Sequence, residues 1–301
     1  MAVGGNKKVV LMALGANFGI GVAKLTAYLF TQSGSMLAES IHSFADSGNQ
    51  GLLLLGGARA KKEPDDRHPL GYGREAYFWA MLVAVILFTL GGLFSIYEGV
   101  HKLSDPQPLN NLMAAVIVLV LGLLLEGSSL RAAWIECNKV RRGRSLLQWG
   151  RETGNVDLLV VTFEDLAAMA GLTVALIAVV LSAVTGDPVY DAVGSCVVGA
   201  MLLVVAVFLT VQVRRLIVGF AAETIIQDAL RDVWAEHDFT VLRLIAVWAG
   251  PGKVLVAAKV KPNGPAGDAK SLIERINRAE AAAREAVPEM HFQFTEPDFS
   301  D

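Results

Sequence analysis

The sequence predicts an α-helical membrane protein with six transmembrane helices, followed by a small α+β cytoplasmic domain with the element order αββαβ. Two observations support this fold class. Of the 301 residues, 53% are hydrophobic and 18% are charged, whereas about a quarter of the residues in a typical soluble protein are charged. Long apolar stretches also alternate with short basic ones along the chain, as is typical of helices that cross a bilayer repeatedly.

Four of the predicted spans are free of charged residues. A helix needs about 20 mostly apolar residues to cross a bilayer, and this condition is met by residues 76–97, 106–125, 166–186 and 192–213. Two earlier stretches, 9–30 and 36–58, are apolar but carry ionisable residues. Counting them as the first and second spans gives six. No small-residue cleavage site leading into a soluble sequence follows the first stretch, so we expect a retained span rather than a signal peptide.

Basic residues fall on alternate sides of these spans. Fourteen of them lie within residues 7–8, 59–74, 139–151 and 214–215, whereas the intervening loops contain only Lys102. Because Lys and Arg accumulate in cytoplasmic loops, we predict that both termini are cytoplasmic. The expected setting is multi-pass insertion in a bacterial inner (plasma) membrane.

The composition changes after the sixth span, and we divide the chain into residues 1–216 and 217–301. The second part contains two amphipathic helices and three strand-like stretches, predicted at 224–237, 241–248, 253–260, 268–287 and 290–296. Helices and strands in this order pack as two layers. We therefore expect a small separate domain.

Ionisable residues inside a membrane span are costly and usually functional. The second span carries Glu39, His42 and Asp46. If this span is helical, His42 and Asp46 lie one turn apart and project from the same face. An imidazole and a carboxylate suit a cation such as Zn²⁺, whereas in a loop both would simply be solvated.

Other polar residues have simpler interpretations, except for one pair. Glu164 and Asp165 lie next to each other several residues inside span five, which opens with Asp157, and we take them as further candidate ligands. End positions favour interfacial or capping roles, which we predict for Glu98, Glu126, Asp157 and Asp191. We expect Asn17 to join helices and Lys24 either to pair with a carboxylate or to extend to the interface as an anchor. Two cysteines are too few for a thiolate metal cage or a disulfide framework.

Longer motifs surround these residues. Residues 38–51 read AESIHSFADSGNQG and residues 65–75 read DDRHPLGYGRE; together they resemble the second span and following loop of the cation diffusion facilitator family. EDLAA at 164–168 and TGDPVYD at 185–191 are similar to its mitochondrial zinc-transporter branch and the bacterial relatives of that branch. The resemblance covers essentially the whole chain. It implies a homodimeric, proton-coupled exporter of divalent cations, with residues 1–216 as transport domain and 217–301 as dimerisation domain.

The chain departs from the usual pattern of that family at three positions. A second His-x-x-x-Asp motif in span five would place a histidine at Val161, so the aligned ligands are His42, Asp46 and Asp165, with Glu164 the nearest fourth. Of this pair we expect Asp165 to bind the metal directly. Tyr72 and Phe294 stand where accessory metal sites of other members have ligands. The resemblance therefore implies a membrane site without its accessory sites, and a dimer that forms without bound metal.

Three functions fit the sequence. The first is proton-coupled efflux of a divalent cation, with no cofactor beyond that cation and no nucleic-acid partner. Zn²⁺, Co²⁺, Cd²⁺, Mn²⁺ and Fe²⁺ share these ligands, although His42 argues against Mn²⁺. The second is an intramembrane metal hydrolase with Glu164 as general base, and the third is a non-transporting membrane protein whose C-terminal domain recruits partners. The hydrolase has no His-Glu-x-x-His or nucleophile motif to support it.

Overall fold

The structure is a computed structural model that describes residues 11, 14–15, 17–23, 25–26, 29, 34–104, 112–265 and 267–298. For residues 34–39, 41, 42, 112 and 114 the description covers the backbone alone. The predicted first span, 9–30, is helical wherever it is described. Lys24 and the side chains of Glu39 and His42 lie outside the described residues.

Long helices make up the chain as far as residue 218. They are α1 (Gly34–Arg59), α2 (Glu75–Ile86), α3 (Phe94–Ser104), α4 (Leu112–Val140), the short α5 (Leu146–Glu152), α6 (Val156–Thr185) and α7 (Val189–Val218). A π-helical segment, Leu87–Leu93, joins α2 to α3 without a break. Gly92 and Gly199 allow this segment to touch α7, because a Cβ at Gly199 would lie 2.8 Å from the Gly92 carbonyl oxygen.

Four helices in the described part of the chain are long and apolar enough to cross a membrane: Glu75–Ser104, Ala115–Val140, Val156–Thr185 and Val189–Val218. They correspond to predicted spans three to six. The total of six spans stays a prediction. Many large apolar side chains on these helices are exposed, including Leu124, Val184 and Val204, as expected where a helix faces lipid.

Two helices extend beyond the charge-free runs that marked their spans. Helix α6 begins at Val156, ten residues before the charge-free run 166–186, because Asn155 caps it by accepting a hydrogen bond from the Leu158 N–H. It ends at Gly186, whose φ of 74° suits glycine. Helix α4 runs on to Val140, beyond the charge-free run that ends at residue 125. Both helices place polar residues deep in the bundle, and α6 packs against α4 and α7.

The predicted αββαβ order is confirmed after residue 218. It consists of α8 (Thr224–Glu236), β1 (Phe239–Gly250), β2 (Lys253–Pro262), α9 (Ala269–Ala286) and β3 (Met290–Pro297). The sheet order is β1-β2-β3; β1 and β2 are antiparallel, and α9 provides the crossover that lets β3 pair parallel with β2. A small core of Trp234, Phe239, Val260, Ile276 and Ala279 lies between the helices and the sheet.

This C-terminal unit also packs on one end of the bundle. Gly154 lies so close to Trp248 that a Cβ there would be 2.2 Å from the indole, and Gly73 meets the backbone of Ala249 and Gly250. Trp248 and Val254 belong to the same buried cluster as Tyr77, Trp149 and Leu159. The predicted division at residue 217 stays a prediction.

Candidate metal centre

Four carboxylates from three helices lie together inside the bundle. Asp46 comes from α1, Glu126 from α4, and Glu164 and Asp165 from α6; their exposed fractions are 8%, 7%, 5% and 1%. All four border one gap of about 10 Å³, together with Asn17. Acidic side chains from three helices are therefore concentrated around one gap.

Neighbouring polar side chains orient the two acidic residues of α6. Asn49 on α1 donates its side-chain N–H to Glu164 Oε1 at 2.8 Å, and Ser129 on α4 donates its hydroxyl to Asp165 Oδ2 at 2.8 Å. Successive residues of a helix point about 100° apart, so Glu164 faces α1 while Asp165 faces α4. Glu164 Oε2 and Asn49 Oδ1 are buried and have no hydrogen-bond partner among the described residues.

The structure brings three of the four predicted ligands together. Asp46, Glu164 and Asp165 border the same gap, whereas the side chain of His42 lies outside the description. The backbone of α1 is helical through both His42 and Asp46, which places them one turn apart. Within the described residues, no three His, Cys, Asp or Glu side chains are arranged to hold a metal ion.

Glu126 is the residue whose role the sequence prediction missed. We predicted an interfacial or capping role because Glu126 lies near the cytoplasmic end of the fourth span, but α4 continues to Val140 and buries Glu126 beside Glu164 and Asp165. A signal was present: Glu126 and Ser129 are three residues apart, and so lie on one face of a helix. Asn17, predicted only to join helices, also borders the gap.

A cavity of about 230 Å³ connects this cluster with one end of the bundle. Asp46 and Glu126 line its inner part, and Glu98, Lys102 and Asp191 line the part near the loops that follow α3 and precede α7. Apolar side chains such as Leu90, Phe94 and Leu172 form much of its wall. This end is opposite the sheet, since α7 runs from Asp191 toward the C-terminal unit.

Packed side chains lie on the other side of the cluster. Val161, at the position where the family pattern has a histidine, is fully buried, as are Tyr77, Trp149, Leu159 and Val160. The Tyr77 hydroxyl donates to the Gly154 carbonyl oxygen at 3.4 Å. The position of Val161 is thus part of a tightly packed core.

The loop between α1 and α2 is closed by side-chain hydrogen bonds. Tyr72 donates its hydroxyl to Asp65 Oδ2 at 2.6 Å, and Lys62 donates to the Tyr72 oxygen at 2.9 Å. The bond from Tyr72 holds the pKa of Asp65 well below its usual value. Phe294, at the other position where relatives have a ligand, is 60% exposed on β3.

Comparison with known proteins identifies a family. Residues 10–218 match the model of the cation efflux transmembrane domain. The human protein named proton-coupled zinc antiporter SLC30A9, mitochondrial, is 34% identical over 265 residues, which cover 86% of this chain and 46% of that protein. Metal tolerance protein C4 of Arabidopsis thaliana is also 34% identical over 265 residues, covering 86% of this chain and 58% of the relative.

A more distant relative is the zinc transporter ZitB of Pectobacterium atrosepticum, 26% identical over 198 residues, or 64% of this chain and 57% of that protein. The chain spans about half the length of the curated relatives it matches. The matched domain covers the whole helical bundle described here, including all four buried carboxylates. The chain therefore belongs to the cation efflux family, also called the cation diffusion facilitator family.

Proposed function

We propose that this protein exports a divalent cation, with Zn²⁺ as the favoured substrate, in exchange for protons. The observation that carries the proposal is the group of four buried carboxylates in a member of the cation efflux family. Buried charges of one sign are unfavourable unless they are paired or neutralised. A divalent cation and protons are the two positive species that such a group can bind in turn.

The proposed ligands are His42, Asp46 and Asp165, with Glu164 as the nearest fourth donor and Glu126 as an added acidic neighbour. Asp165 is bonded to Ser129 and Glu164 to Asn49. Each bond occupies one carboxylate oxygen and leaves the other for a cation. Since two adjacent helical residues diverge, we assign one direct ligand to the pair: Asp165, which aligns with the aspartate of the family pattern, while Glu164 tunes the site through Asn49 and its charge.

Competition for the same oxygens would couple the two fluxes. A carboxylate or imidazole must be deprotonated to bind a metal ion, so protons entering the site expel the cation and the cation expels protons. Transport then requires the site to open alternately to the two sides, by rocking of helices around it. The cavity between the cluster and the bundle end opposite the sheet supports a release path on that side.

Zn²⁺ is favoured by a mixed set of nitrogen and oxygen ligands, and His42 supplies the nitrogen. The names of several relatives agree, since two of them are called a proton-coupled zinc antiporter and a zinc transporter. Another relative is called a metal cation efflux system protein. Selection among Zn²⁺, Co²⁺, Cd²⁺ and Fe²⁺ depends on geometry more than on donor type.

The proposed setting is a bacterial inner membrane, with the sheet unit and both termini in the cytoplasm and cations moving outward. The distribution of basic residues supports this orientation. We propose that the protein works as a homodimer, joined in part through the C-terminal unit. The face of the sheet that carries Ile245 and Phe294 is exposed in the single chain, so apolar surface is accessible there.

Uptake of Zn²⁺ into liposomes with an imposed pH gradient tests the proposal. The purified wild-type protein should accelerate Zn²⁺ flux, and Asp46→Asn and Asp165→Asn should each abolish it. Glu164→Gln should only reduce the flux. Asp232→Asn, a change of the same chemistry at an exposed position of α8, should leave it unchanged. Full transport by Asp165→Asn would remove the proposed site.

The same experiment separates the alternative functions. A non-transporting membrane protein would leave the Zn²⁺ flux at the level of empty liposomes. The intramembrane hydrolase is set aside by membership in a family of cation transporters rather than enzymes.

A further inference from the structure

Three charged side chains meet at the end of the cavity opposite the sheet. Lys102 Nζ donates to Asp191 Oδ2 at 3.1 Å and lies 4.0 Å from Glu98 Oε1. The side chains are partly buried, with 27% of Lys102, 18% of Asp191 and 32% of Glu98 exposed. One ammonium group thus stands between two carboxylates.

The backbone fixes this arrangement. Glu98 and Lys102 are one turn apart on α3 and therefore share a face. Gly99 brings α3 against α7, because a Cβ there would lie 2.5 Å from Cys196 Sγ and 2.9 Å from the Ala192 carbonyl oxygen. Asp191 is in the first turn of α7, next to that contact. The three side chains are thus held by two packed helices, unlike an ion pair on a free surface.

All three residues line the cavity that reaches Asp46 and Glu126. A divalent cation that leaves the cluster by this route passes between Glu98 and Asp191. Two carboxylates without a counter-charge would attract such a cation strongly in a partly dehydrated space. The ammonium of Lys102 already neutralises part of that charge.

We propose that Lys102 acts as a tethered cation at the mouth of the cavity and prevents Glu98 and Asp191 from retaining divalent cations. A role of Lys102 in the release of transported cations rests on the proposed function. The effect of Lys102 on cation binding by Glu98 and Asp191 does not. Lysine suits the role because its charge is a compact point on a flexible stem. It can stay near the carboxylates while a cation passes, and it cannot itself bind a metal ion while protonated.

Counting bound Zn²⁺ by equilibrium dialysis of the full chain in detergent tests this directly. The Lys102→Met variant should bind one more Zn²⁺ per chain than the wild type. The Lys102→Met/Asp191→Asn double variant should return to the wild-type number, as should Lys102→Arg, which keeps the charge. Lys139→Met removes a lysine from the exposed pair with Glu136 on α4, away from the cavity, and should add no ion.

A wild-type count in folded Lys102→Met would overturn the proposal, and so would an extra ion that persists in the double variant. If Lys102→Met does not elute as a folded species, Lys102→Gln is used instead, alone and combined with Asp191→Asn, and the same two results would overturn the proposal. Zn²⁺ efflux by the neutral variants should also be slower than in the wild type. Failure of the wild type to move Zn²⁺ would contradict the proposed function alone, because the additional ion depends only on Glu98 and Asp191.

Discussion

The two ends of the helical bundle differ in packing, although the same helix passes through both. Near the sheet, the first turns of α6 are buried against Tyr77 and Trp149. Beyond Asp165, the same helix borders a cavity of about 230 Å³ through residues such as Ala168, Gly171 and Leu172. The carboxylate cluster lies at the boundary between these two regions. A site at such a boundary is approached from the end opposite the sheet, while packed side chains separate it from the other end.

The largest expected effect of this difference is on stability. Trp149 is fully buried at the packed end, whereas Phe94 borders the cavity and is 39% exposed. Trp149→Ala should lower the free energy of unfolding by about 3–5 kcal/mol, and Phe94→Ala by about 1 kcal/mol or less. Denaturant titration in detergent, followed by far-ultraviolet circular dichroism, measures both. Equal losses would mean that the two ends are packed alike.

A smaller loss of stability is expected on replacing Arg144, which links the packed end of the bundle to the C-terminal unit by hydrogen bonds. Arg144 donates to Glu152 at 3.0 Å and to Glu223 at 2.8 Å, and only 15% of its side chain is exposed. Arg144→Met should lower the free energy of unfolding by about 1.5–3 kcal/mol, as for hydrogen bonds to charged groups. Arg231→Met is the matched control, since the exposed pair of Arg231 with Asp228 should contribute at most about 1 kcal/mol. If Arg144→Met lowers the free energy of unfolding no more than Arg231→Met does, the hydrogen bonds of Arg144 to Glu152 and Glu223 add no stability beyond that of an exposed ion pair.

The same contact predicts a pH dependence, which is the smallest of the three effects. Burial raises the pKa of Glu223, and Arg144 opposes that rise. A carboxyl whose pKa is raised by folding adds stability below its ordinary pKa of about 4.3, and this contribution is lost as the pH rises through the folded value. Without Arg144, the pKa of Glu223 in the folded protein rises further.

Arg144→Met should therefore lose more stability relative to wild type at about pH 8 than at about pH 5. Thermal unfolding curves at the two pH values give the comparison. The Arg144→Met/Glu223→Gln double variant should not show the added pH dependence. If it does, another group is responsible.

The sequence was sufficient for most of the fold, because hydrophobic length and periodicity are local properties. It predicted four spans as helices and gave every element of the C-terminal unit within about two residues. The charge-free runs alone are shorter than α4 and α6. Each run stops at the first charged residue, whereas the helices continue because tertiary contacts bury Glu126, Glu164 and Asp165.

The candidate site could be predicted only in part. Asp46, Glu164 and Asp165 were recognised by their motifs, and the structure gathers them at one gap. Glu126 and Ser129 were not recognised, since the meeting of α4 with α6 is a property of the assembled bundle. The partners Asn49 of Glu164 and Ser129 of Asp165 could not be deduced either, because hydrogen bonds between distant residues depend on helix rotation.

Access to the site from the end opposite the sheet is the central claim, and thiol labelling tests it most directly. Ala168 and Val161 lie seven residues apart on α6 and so on one face; Ala168 borders the cavity and Val161 is fully buried. Each is changed to Cys in a background in which Cys137 and Cys196 are replaced by Ala. A membrane-impermeant thiol reagent, applied without Zn²⁺ or a pH gradient, should label Ala168→Cys from the side opposite the sheet and leave Val161→Cys unlabelled. Labelling of Val161→Cys with protection of Ala168→Cys would contradict the account.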